Sequence, residues 1–309
     1  MKIFVLAPKE NWICDRFNSE WQHYQKHMCV DSPDKADIIW LLADWCWNQI
    51  DQNILKSKKV VATVHHIAQN KFDEKKLNSF KERDFFVDFY HVPCEKTANQ
   101  VRALTNKPVF VFPFWVNQNI WINMRNKKLE LRKKYGLPEN KFLIGSFQRD
   151  TEGHDLISPK LEKGPDLFCD AVQRFNEKRG DVEVLLAGWR RQYVMKRLSD
   201  VDINFYYAEL PSFEIINELY NCLDLYVVAA RYEGGPQAIV ECSATNTPII
   251  STDVGLASHF LPKKSIFIPG KELTAEPDPK YCYDKVKVKF IENGFSDFKD
   301  MFKTIVEKN

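Results

Sequence analysis

Two glutamates, Glu233 and Glu241, stand eight positions apart, between an apolar segment and the end of a short helical pattern. The sequence between them opens with Gly234, Gly235 and Pro236. Glycines let a backbone approach a ligand closely, and proline fits the first position of a helix, where its missing N–H costs nothing. The amides at such a helix start favour an anion such as a pyrophosphate.

Glu241 lies five residues beyond Pro236, about 7.5 Å along a helix axis at 1.5 Å per residue. That distance suits a carboxylate that holds the sugar hydroxyls of a nucleotide whose phosphates rest on the helix start. Glu233 precedes the helix and would reach toward the group that the phosphates carry. The spacing therefore predicts a site for a nucleotide sugar.

This stretch resembles the paired-glutamate motif of retaining glycosyltransferases with the GT-B fold, in particular those of family four. The resemblance begins at Glu233, includes Glu241, and continues through the run 247–252 to Gly255. It implies an α/β fold of the GT-B type, with two Rossmann-like, doubly wound parallel-sheet domains that face a central cleft. It also implies transfer of a sugar from a nucleoside diphosphate sugar with retention of configuration, Glu233 contacting the sugar and Glu241 the ribose.

A second element that could bind phosphate lies upstream. A strand-like run ends at Arg149, and Lys163 precedes a glycine at the start of a helical pattern. The resembled family has an arginine and a lysine at these places that hold the donor's diphosphate, which implies that role for Arg149 and Lys163. A longer polar loop separates the two here, and an ion pair of Arg149 with Asp150 or Glu152 is the alternative.

The resemblance also implies roles for residues that follow other strands. Gly188 lies where the family has a turn that faces the nucleotide. His65 and His66 end a strand where the family often has a histidine near the donor sugar. His65 aligns better, a capping role is the alternative, and the sequence does not decide which histidine faces the site. Residues 8–11 would border the acceptor, although they lack the family's glycine-rich loop.

Metal dependence is judged from Asp200-Val201-Asp202, a spacing with which another glycosyltransferase fold holds a divalent cation. Because it lies between a helix and the start of a strand, away from the predicted cleft, we interpret it as a loop. Fixed amides and two cations could offset the leaving group's charge, so neither a metal nor another cofactor is expected besides the donor substrate. Arg190 and Arg191 are interpreted as surface residues rather than phosphate ligands.

The chain of 309 residues suits two domains. Runs with strand character alternate with helical patterns, which favours parallel sheets with helices on both faces. The predicted strands are 2–6, 37–42, 59–64, 86–91, 108–112, 142–147, 182–187, 203–207, 224–229 and 248–252. Ser212 is predicted to cap the helix that follows it.

Four parts of the chain are predicted. They are an acceptor-side domain at 1–115, a linker at 116–140, a nucleotide-sugar-binding domain at 141–290, and a C-terminal helix at 291–309. The resemblance implies that the last helix packs back toward the first domain. Within the linker, residues 127–135 form a basic helical stretch that we interpret as a solvated helix, with a membrane-surface patch as the alternative.

Composition limits the partners. A net charge of +2 gives no ground for nucleic-acid binding, and no apolar run approaches the roughly twenty residues that span a bilayer. The eight cysteines form no Cys-x-x-Cys pair, which argues against a zinc or redox centre. We expect a cytoplasmic enzyme, with peripheral membrane contact left open, that binds a UDP- or GDP-sugar and a glycan or lipid-linked acceptor.

Two other functions stay open. A non-hydrolysing nucleotide-sugar epimerase shares this architecture and would convert the donor without an acceptor. A non-catalytic nucleotide- or sugar-binding module is the second, because the first domain is short. The sequence shows no separate catalytic base, and it leaves the sugar, the base, the acceptor and the oligomeric state undecided.

Overall fold

The computed structural model describes residues 1–10 and 13–307, and the chain divides into two compact units. Unit 1 comprises Met1–Phe114 together with Phe295–Asn309, and unit 2 comprises Trp115–Gly294. Parts of two predicted segments lie outside the described residues, namely Asn11 of the acceptor loop and residues 308–309 of the last helix.

Each unit is built on one parallel sheet. The strands of unit 1 are β1 (Ile3–Leu6), β2 (Ile38–Leu41), β3 (Lys59–Thr63), β4 (Phe89–Val92) and β5 (Val109–Val111). Those of unit 2 are β6 (Phe142–Ser146), β7 (Val182–Ala187), β8 (Phe205–Ala208), β9 (Leu225–Val228), β10 (Ile249–Thr252) and β11 (Ile266–Phe267).

Helices connect the strands and cover the sheets. The α-helices are α1 (Ile13–Tyr24), α2 (Gln52–Ser57), α3 (Glu74–Asp84), α4 (Glu95–Arg102), α5 (Lys128–Lys134), α6 (Pro165–Arg179), α7 (Gln192–Ser199), α8 (Phe213–Cys222), α9 (Gln237–Thr245), α10 (Ala257–Phe260), α11 (Pro279–Val286) and α12 (Ile291–Glu307). Short 3-10 helices lie at Lys26–Met28, Pro33–Lys35, Asp44–Gln49, Gln69–Lys71, Arg125–Lys127, Leu161–Lys163, Lys263–Ser265, Glu272–Thr274 and Lys287–Lys289. None of the described helices has both the length and the apolar character that crossing a bilayer requires.

In unit 1 the strand order is β1-β2-β3-β4-β5. After α1 the chain makes one parallel bridge, between Ile3 and Cys29, and the Val30 amide donates to the Ile3 carbonyl at 3.1 Å. The neighbouring carbonyl of Lys2 accepts from Ile38, at the start of β2. Because successive residues of a parallel strand bond to opposite edges, β1 has the Cys29 bridge on one edge and β2 on the other, and the winding direction reverses there.

The two faces of this sheet have different covers. Ile39 and Leu41 belong to the core that α2, α3 and α4 pack against. Since side chains alternate along a strand, Trp40 points to the other face, where its ring lies 5.6 Å from Trp21 of α1 and 5.2 Å from Phe298 of α12. This two-sided burial explains why β2 is an uninterrupted apolar run, and it includes the last helix in unit 1.

In unit 2 the strand order is β11-β10-β9-β6-β7-β8, with all pairs parallel. The first strand of the unit, β6, thus lies in the middle, and the winding direction reverses between β6 and β9. In open α/β sheets, ligands bind beyond the carboxyl ends of the strands at such a reversal. The prediction of an α/β fold with two parallel-sheet domains is confirmed, and the topology of unit 2 points to the segments after β6 and β9.

Two predicted strands are displaced. The run 86–91 becomes a strand only at Phe89, because the Asp88 carboxylate accepts a hydrogen bond from the Val60 amide at 2.8 Å and ends the preceding turn. The run 203–207 begins at Phe205, since Asp202 has a left-handed backbone with φ 54°. In both cases the strand begins only after a polar residue that interrupts the apolar pattern.

The prediction of a solvated helix at 127–135 is correct for one side of the helix only, since five of these nine residues are exposed. This stretch forms α5, which packs on α8, and Arg132 is only 2% exposed. The Arg132 guanidinium donates to the Cys222 carbonyl at 2.8 Å and to Asp224 Oδ2 at 2.6 Å. Lys128 also pairs with Asp224. A basic pattern cannot show that its cations bind a carboxylate located 92 residues later.

Candidate functional site

The turn between the paired glutamates follows β9, at the carboxyl edge of the unit 2 sheet. It is in direct contact with Gly255, where an added Cβ would overlap the carbonyl oxygen of Gly234. Gly255 also has φ 47°, in the left-handed region. Glycine is therefore required at position 255, because the segment after β10 passes directly against the turn.

The helix start after the turn lies one residue later than predicted. Pro236 is the N-cap of α9, with φ −57° and ψ 110°, and Gln237 is the first helical residue. The Gln237 side chain donates back to the Gly235 carbonyl at 3.0 Å. The side chain of the N-cap residue, Pro236, makes no capping hydrogen bond. The amides of its first turn therefore point out at the carboxyl edge, where an anion would be bound.

Glu241 is the fifth residue of α9 and is 7% exposed. Its Oε2 accepts a hydrogen bond of 2.8 Å from the hydroxyl of Tyr220, a buried residue of α8. Burial, followed by the charge of Glu241, raises the pKa of Tyr220 well above its ordinary value. The hydroxyl therefore keeps its proton at neutral pH and acts as the donor. Sequence reasoning missed Tyr220, because a tyrosine in an apolar helix pattern gives no signal of its partner.

Lys163 and Glu233 are brought together across 70 residues. The Lys163 ammonium donates to Glu233 Oε1, with 22% of the lysine side chain and 9% of the glutamate side chain exposed. Gly164 follows with φ 63°, and a Cβ there would overlap the Ala229 carbonyl at the end of β9. The lysine–glycine pair of the sequence thus packs directly against the segment that carries Glu233.

An ion pair and two backbone hydrogen bonds hold the segments that carry Lys163 and Glu233 together. Arg231 binds both oxygens of Asp166 in a two-pronged ion pair, at 2.7 and 2.6 Å. The amides of Arg231 and Tyr232 both donate to the Glu162 carbonyl, at 2.8 and 3.1 Å. The segment after β9 is therefore tied to the start of α6 by charge and by backbone, which limits how far Lys163 and Glu233 can separate.

Arg149 lies on the loop after β6. Its guanidinium lies 5.9 Å from the ring centre of Trp189. Its Nε is buried and has no hydrogen-bond partner among residues 1–10 and 13–307. Among the described residues Arg149 forms no ion pair with Asp150 or Glu152, the alternative partners, and Asp150 pairs with Arg191 at 2.9 Å.

Arg190 and Arg191 are not surface residues. Arg191 has no exposed surface and also donates to Ser146 Oγ at 3.1 Å and to the Ala187 carbonyl at 2.9 Å. Arg190 is buried and donates to the carbonyl of Gly153. Two arginines thus tie the long loop after β6 to the turn after β7.

Gly188 directly follows β7, at the same edge of the sheet. Its φ is 92°, and its carbonyl accepts a hydrogen bond from the Tyr207 hydroxyl at 2.9 Å. Trp189 follows with an exposed ring. The structure therefore brings Gly188, Arg149, Lys163 and the paired glutamates to the carboxyl edge of one sheet.

His65 belongs to unit 1, where it follows β3. Its half-buried ring stacks on Phe114 at 5.6 Å. The Leu42 carbonyl, 2.9 Å from Nε2, can only accept, so Nε2 carries the hydrogen. Burial lowers the pKa of His65, which keeps the ring neutral at pH 7. His66 is exposed.

The described residues contain no group of three His, Cys, Asp or Glu side chains placed to hold a metal ion. Asp200 forms an exposed ion pair with Lys196 at 2.8 Å, and Asp202 lies in the left-handed turn that precedes β8. The expectation that no metal is needed stays a prediction.

Comparison with known proteins finds sequence similarity in unit 2. Residues 156–280, less than half of the chain, match the family model described as Glycosyl transferases group 1. The lipopolysaccharide core biosynthesis mannosyltransferase LpsB of Rhizobium meliloti (strain 1021) is 27% identical over 141 residues, which cover 43% of this chain and 38% of LpsB. The chain therefore matches well under half the length of this curated relative.

Solved structures resemble the whole chain. HepE of Anabaena, solved in complex with UDP and glucose, superposes with a TM-score of 0.77 at 12% identity, covering 98% of both chains. Sucrose-phosphate synthase from Thermosynechococcus elongatus gives 0.69 at 15% identity, covering 98% of this chain and 81% of the synthase. Similarity at such low identity establishes the fold, which is that of the GT-B glycosyltransferases. Together with the family match over residues 156–280, it supports a glycosyltransferase.

Proposed function

We propose that this protein is a retaining glycosyltransferase of family four, which transfers a sugar from a UDP- or GDP-sugar to a glycan or lipid-linked acceptor without a metal ion. The observation that carries the proposal is the convergence of Lys163, Glu233 and Glu241 at the strand-order reversal of unit 2. All three lie within the segment that matches the Glycosyl transferases group 1 model. HepE has also been solved with UDP-glucose, and LpsB is a mannosyltransferase.

The nucleoside is assigned to Glu241. A carboxylate accepts hydrogen bonds from two neighbouring hydroxyls, as ribose presents them. The position of Glu241, five residues into α9, leaves the helix start for the phosphates. UDP and GDP share this ribose diphosphate, so the assignment holds for either base.

The diphosphate is assigned to Lys163, Arg149 and the amides near Gly234, Gly235 and Pro236. Lysine supplies a point charge and arginine a planar fork that matches phosphate oxygens. The unpartnered, buried Nε of Arg149 supports this role, because a buried donor without an acceptor is costly. Gly188, at the same sheet edge, is assigned to the nucleotide without a side-chain contact.

Glu233 is assigned to the donor sugar. The Glu233 carboxylate forms an ion pair with the Lys163 ammonium. When a diphosphate takes over the ammonium, Glu233 is released to accept hydrogen bonds from the sugar hydroxyls and to stabilise positive charge at the anomeric carbon. With retention, the anomeric carbon–oxygen bond to phosphate breaks, the bond to the acceptor oxygen forms on the same face, and the departing phosphate takes the acceptor's proton.

His65 is proposed as a catalytic residue of unit 1 that contacts the donor sugar, as the family resemblance implies. A neutral ring with the hydrogen fixed on Nε2 offers Nδ1 as an acceptor for a hydroxyl. We also propose a cytoplasmic location, since all eight cysteines are free, with peripheral membrane contact if the acceptor carries a lipid.

The test is incubation with a panel of UDP- and GDP-sugars, with and without a mixture of glycan and lipid-linked acceptors. We expect release of UDP or GDP that depends on the acceptor and persists in EDTA, and an α-linked product from an α-linked donor by NMR. Epimerised donor without acceptor would identify an epimerase. Binding without conversion of any donor would identify a non-catalytic module.

A further inference from the structure

Tyr220, which the sequence did not predict as a site residue, is hydrogen-bonded to one of the two motif glutamates. The Tyr220 hydroxyl donates to Glu241 Oε2 at 2.8 Å, and both side chains are buried. Tyr220 lies on α8 and Glu241 on α9, so the bond crosses between two helices. No comparison and no sequence motif assigns a role to this tyrosine.

The Tyr220 side chain cannot change its position easily. Its ring lies 4.8 Å from Phe147, 5.4 Å from Tyr226 and 5.9 Å from Trp121. Its backbone carbonyl accepts the Thr247 hydroxyl at 2.9 Å. A hydroxyl fixed in this way fixes the carboxylate oxygen that it binds, because a hydrogen bond weakens steeply when its angle bends.

The charge of the donor matters as much as its position. A lysine or arginine in this place would neutralise Glu241, as Lys163 neutralises Glu233. A neutral hydroxyl orients the carboxylate without itself adding a positive charge beside it. Hydrogen bonds to a charged acceptor are stronger than those to a neutral one, so an oriented, charged carboxylate is a strong acceptor for sugar hydroxyls.

We infer that Tyr220 is a positioning residue that orients the Glu241 carboxylate for the ribose hydroxyls of the nucleotide. The inference rests on the proposed role of Glu241. It adds that nucleotide affinity depends on a residue that does not touch the ligand. The dependence acts through the ribose hydroxyls alone, and this separates it from a general contribution of Tyr220 to the fold.

The experiment compares two ligands by titration calorimetry. They are UDP or GDP, whichever the wild type binds more tightly, and the 2′,3′-dideoxy analogue of that nucleotide. Tyr220→Phe should weaken binding of the complete nucleotide about tenfold, the size of a lost hydrogen bond to a charged group. It should change binding of the dideoxy analogue less than about twofold, because the hydroxyls that Glu241 holds are absent.

Tyr206→Phe is the matched control. The Tyr206 hydroxyl donates to Glu183 Oε2, also at 2.8 Å, in the same unit but away from the carboxyl edge. This variant should bind both ligands like the wild type. If Tyr220→Phe does not fold, 4-aminophenylalanine at position 220 keeps a donor and should bind the complete nucleotide normally, whereas 4-fluorophenylalanine should not.

If Tyr220→Phe lowers the affinity for both ligands by the same factor, Tyr220 has only a structural role and the inference is overturned. Unchanged affinity for the complete nucleotide would overturn it as well. Glu241→Ala separates these failures from that of the proposed function. If it leaves nucleotide affinity unchanged, the ribose role of Glu241 is wrong and the inference falls with it; if it weakens binding while Tyr220→Phe does not, only the inference fails.

Discussion

The ion pair between Lys163 and Glu233 makes a prediction whose sign is unusual. Glu233→Gln removes a residue that we assign to the active site, and yet it should strengthen the binding of UDP. The reason is that UDP has no sugar for Glu233 to contact, whereas its diphosphate competes with Glu233 for the Lys163 ammonium. Removal of the competing carboxylate lets Lys163 bind phosphate without first giving up its partner.

The magnitude follows from the exposure of the pair. With 22% of the lysine and 9% of the glutamate side chain exposed, the pair is partly screened by water. Ion pairs of this kind contribute about 0.5–1 kcal/mol. At 1.4 kcal/mol per factor of ten, the variant should bind UDP about two- to fivefold more tightly than the wild type. Turnover of a UDP-sugar should fall by about a hundredfold, because the contact with the donor sugar is lost.

Calorimetric titration with UDP at low and at high salt is the assay, and the gain in affinity should shrink at high salt, where exposed charges are screened. Glu183→Gln is the control, because Glu183 is a buried glutamate of β7 that bonds Tyr206 and Asn204 rather than Lys163. It should leave UDP affinity unchanged. Weaker or equal UDP binding by Glu233→Gln would refute the competition, even if turnover falls as expected.

Other changes test the same structure. Lys163→Met should weaken UDP binding about tenfold. In the double variant it should also abolish the gain in affinity from Glu233→Gln, since the effects of coupled residues are not additive. Additive effects in calorimetry would contradict the pairing. Arg132→Leu should lower the free energy of unfolding, measured in urea, by about 3 kcal/mol, because the partly buried Asp224 carboxylate loses a partner. The control Arg102→Leu, at an exposed ion pair, should change the free energy of unfolding by less than about 1 kcal/mol. Burial lowers the pKa of His91 to about 3, so the unfolded chain takes up a proton that the folded protein refuses as pH falls below about 6.5. Urea unfolding should show a loss of about 2 kcal/mol between pH 6.5 and 5, at about 1.4 kcal/mol per pH unit, and His91→Gln should reduce that dependence; the same slope in the variant would exclude His91 as its source.

The sequence predicted ten of the eleven strands, and it predicted Ser212 as an N-cap, where its hydroxyl accepts from the Ile215 amide. These features depend on local patterns of apolar and capping residues. It did not predict the short β11 or the single bridge at Cys29. The strand β11 has two residues and the bridge involves one, and so few residues form no recognisable sequence pattern.

The sequence mainly failed to predict which residues the charged side chains contact. Arg191 and Arg132 appear in polar, basic surroundings that indicate a surface, yet both are buried by carboxylates distant in sequence. Buried arginines are rare unless paired, and the pairing partner is set by strand order, which a single sequence does not specify. The placement of Arg149 was predictable because it only required the end of a strand.

The two motif glutamates show why a motif fixes position but not chemistry. Both are carboxylates on the segment after β9, and the sequence assigns them to different parts of the donor without showing which side chains they contact. The fold gives Glu233 a cation from the start of α6 and Glu241 a neutral hydroxyl from α8.

A carboxylate that is paired with a cation is released only when another anion replaces it, so Glu233 responds to the arrival of a diphosphate. A hydroxyl that binds one oxygen of a carboxylate orients it for ribose without competing for a cation, so the two glutamates have different electrostatic partners. The proposed order of the later events follows from the Lys163–Glu233 pair: the diphosphate first takes Lys163, and only then is Glu233 available to the sugar.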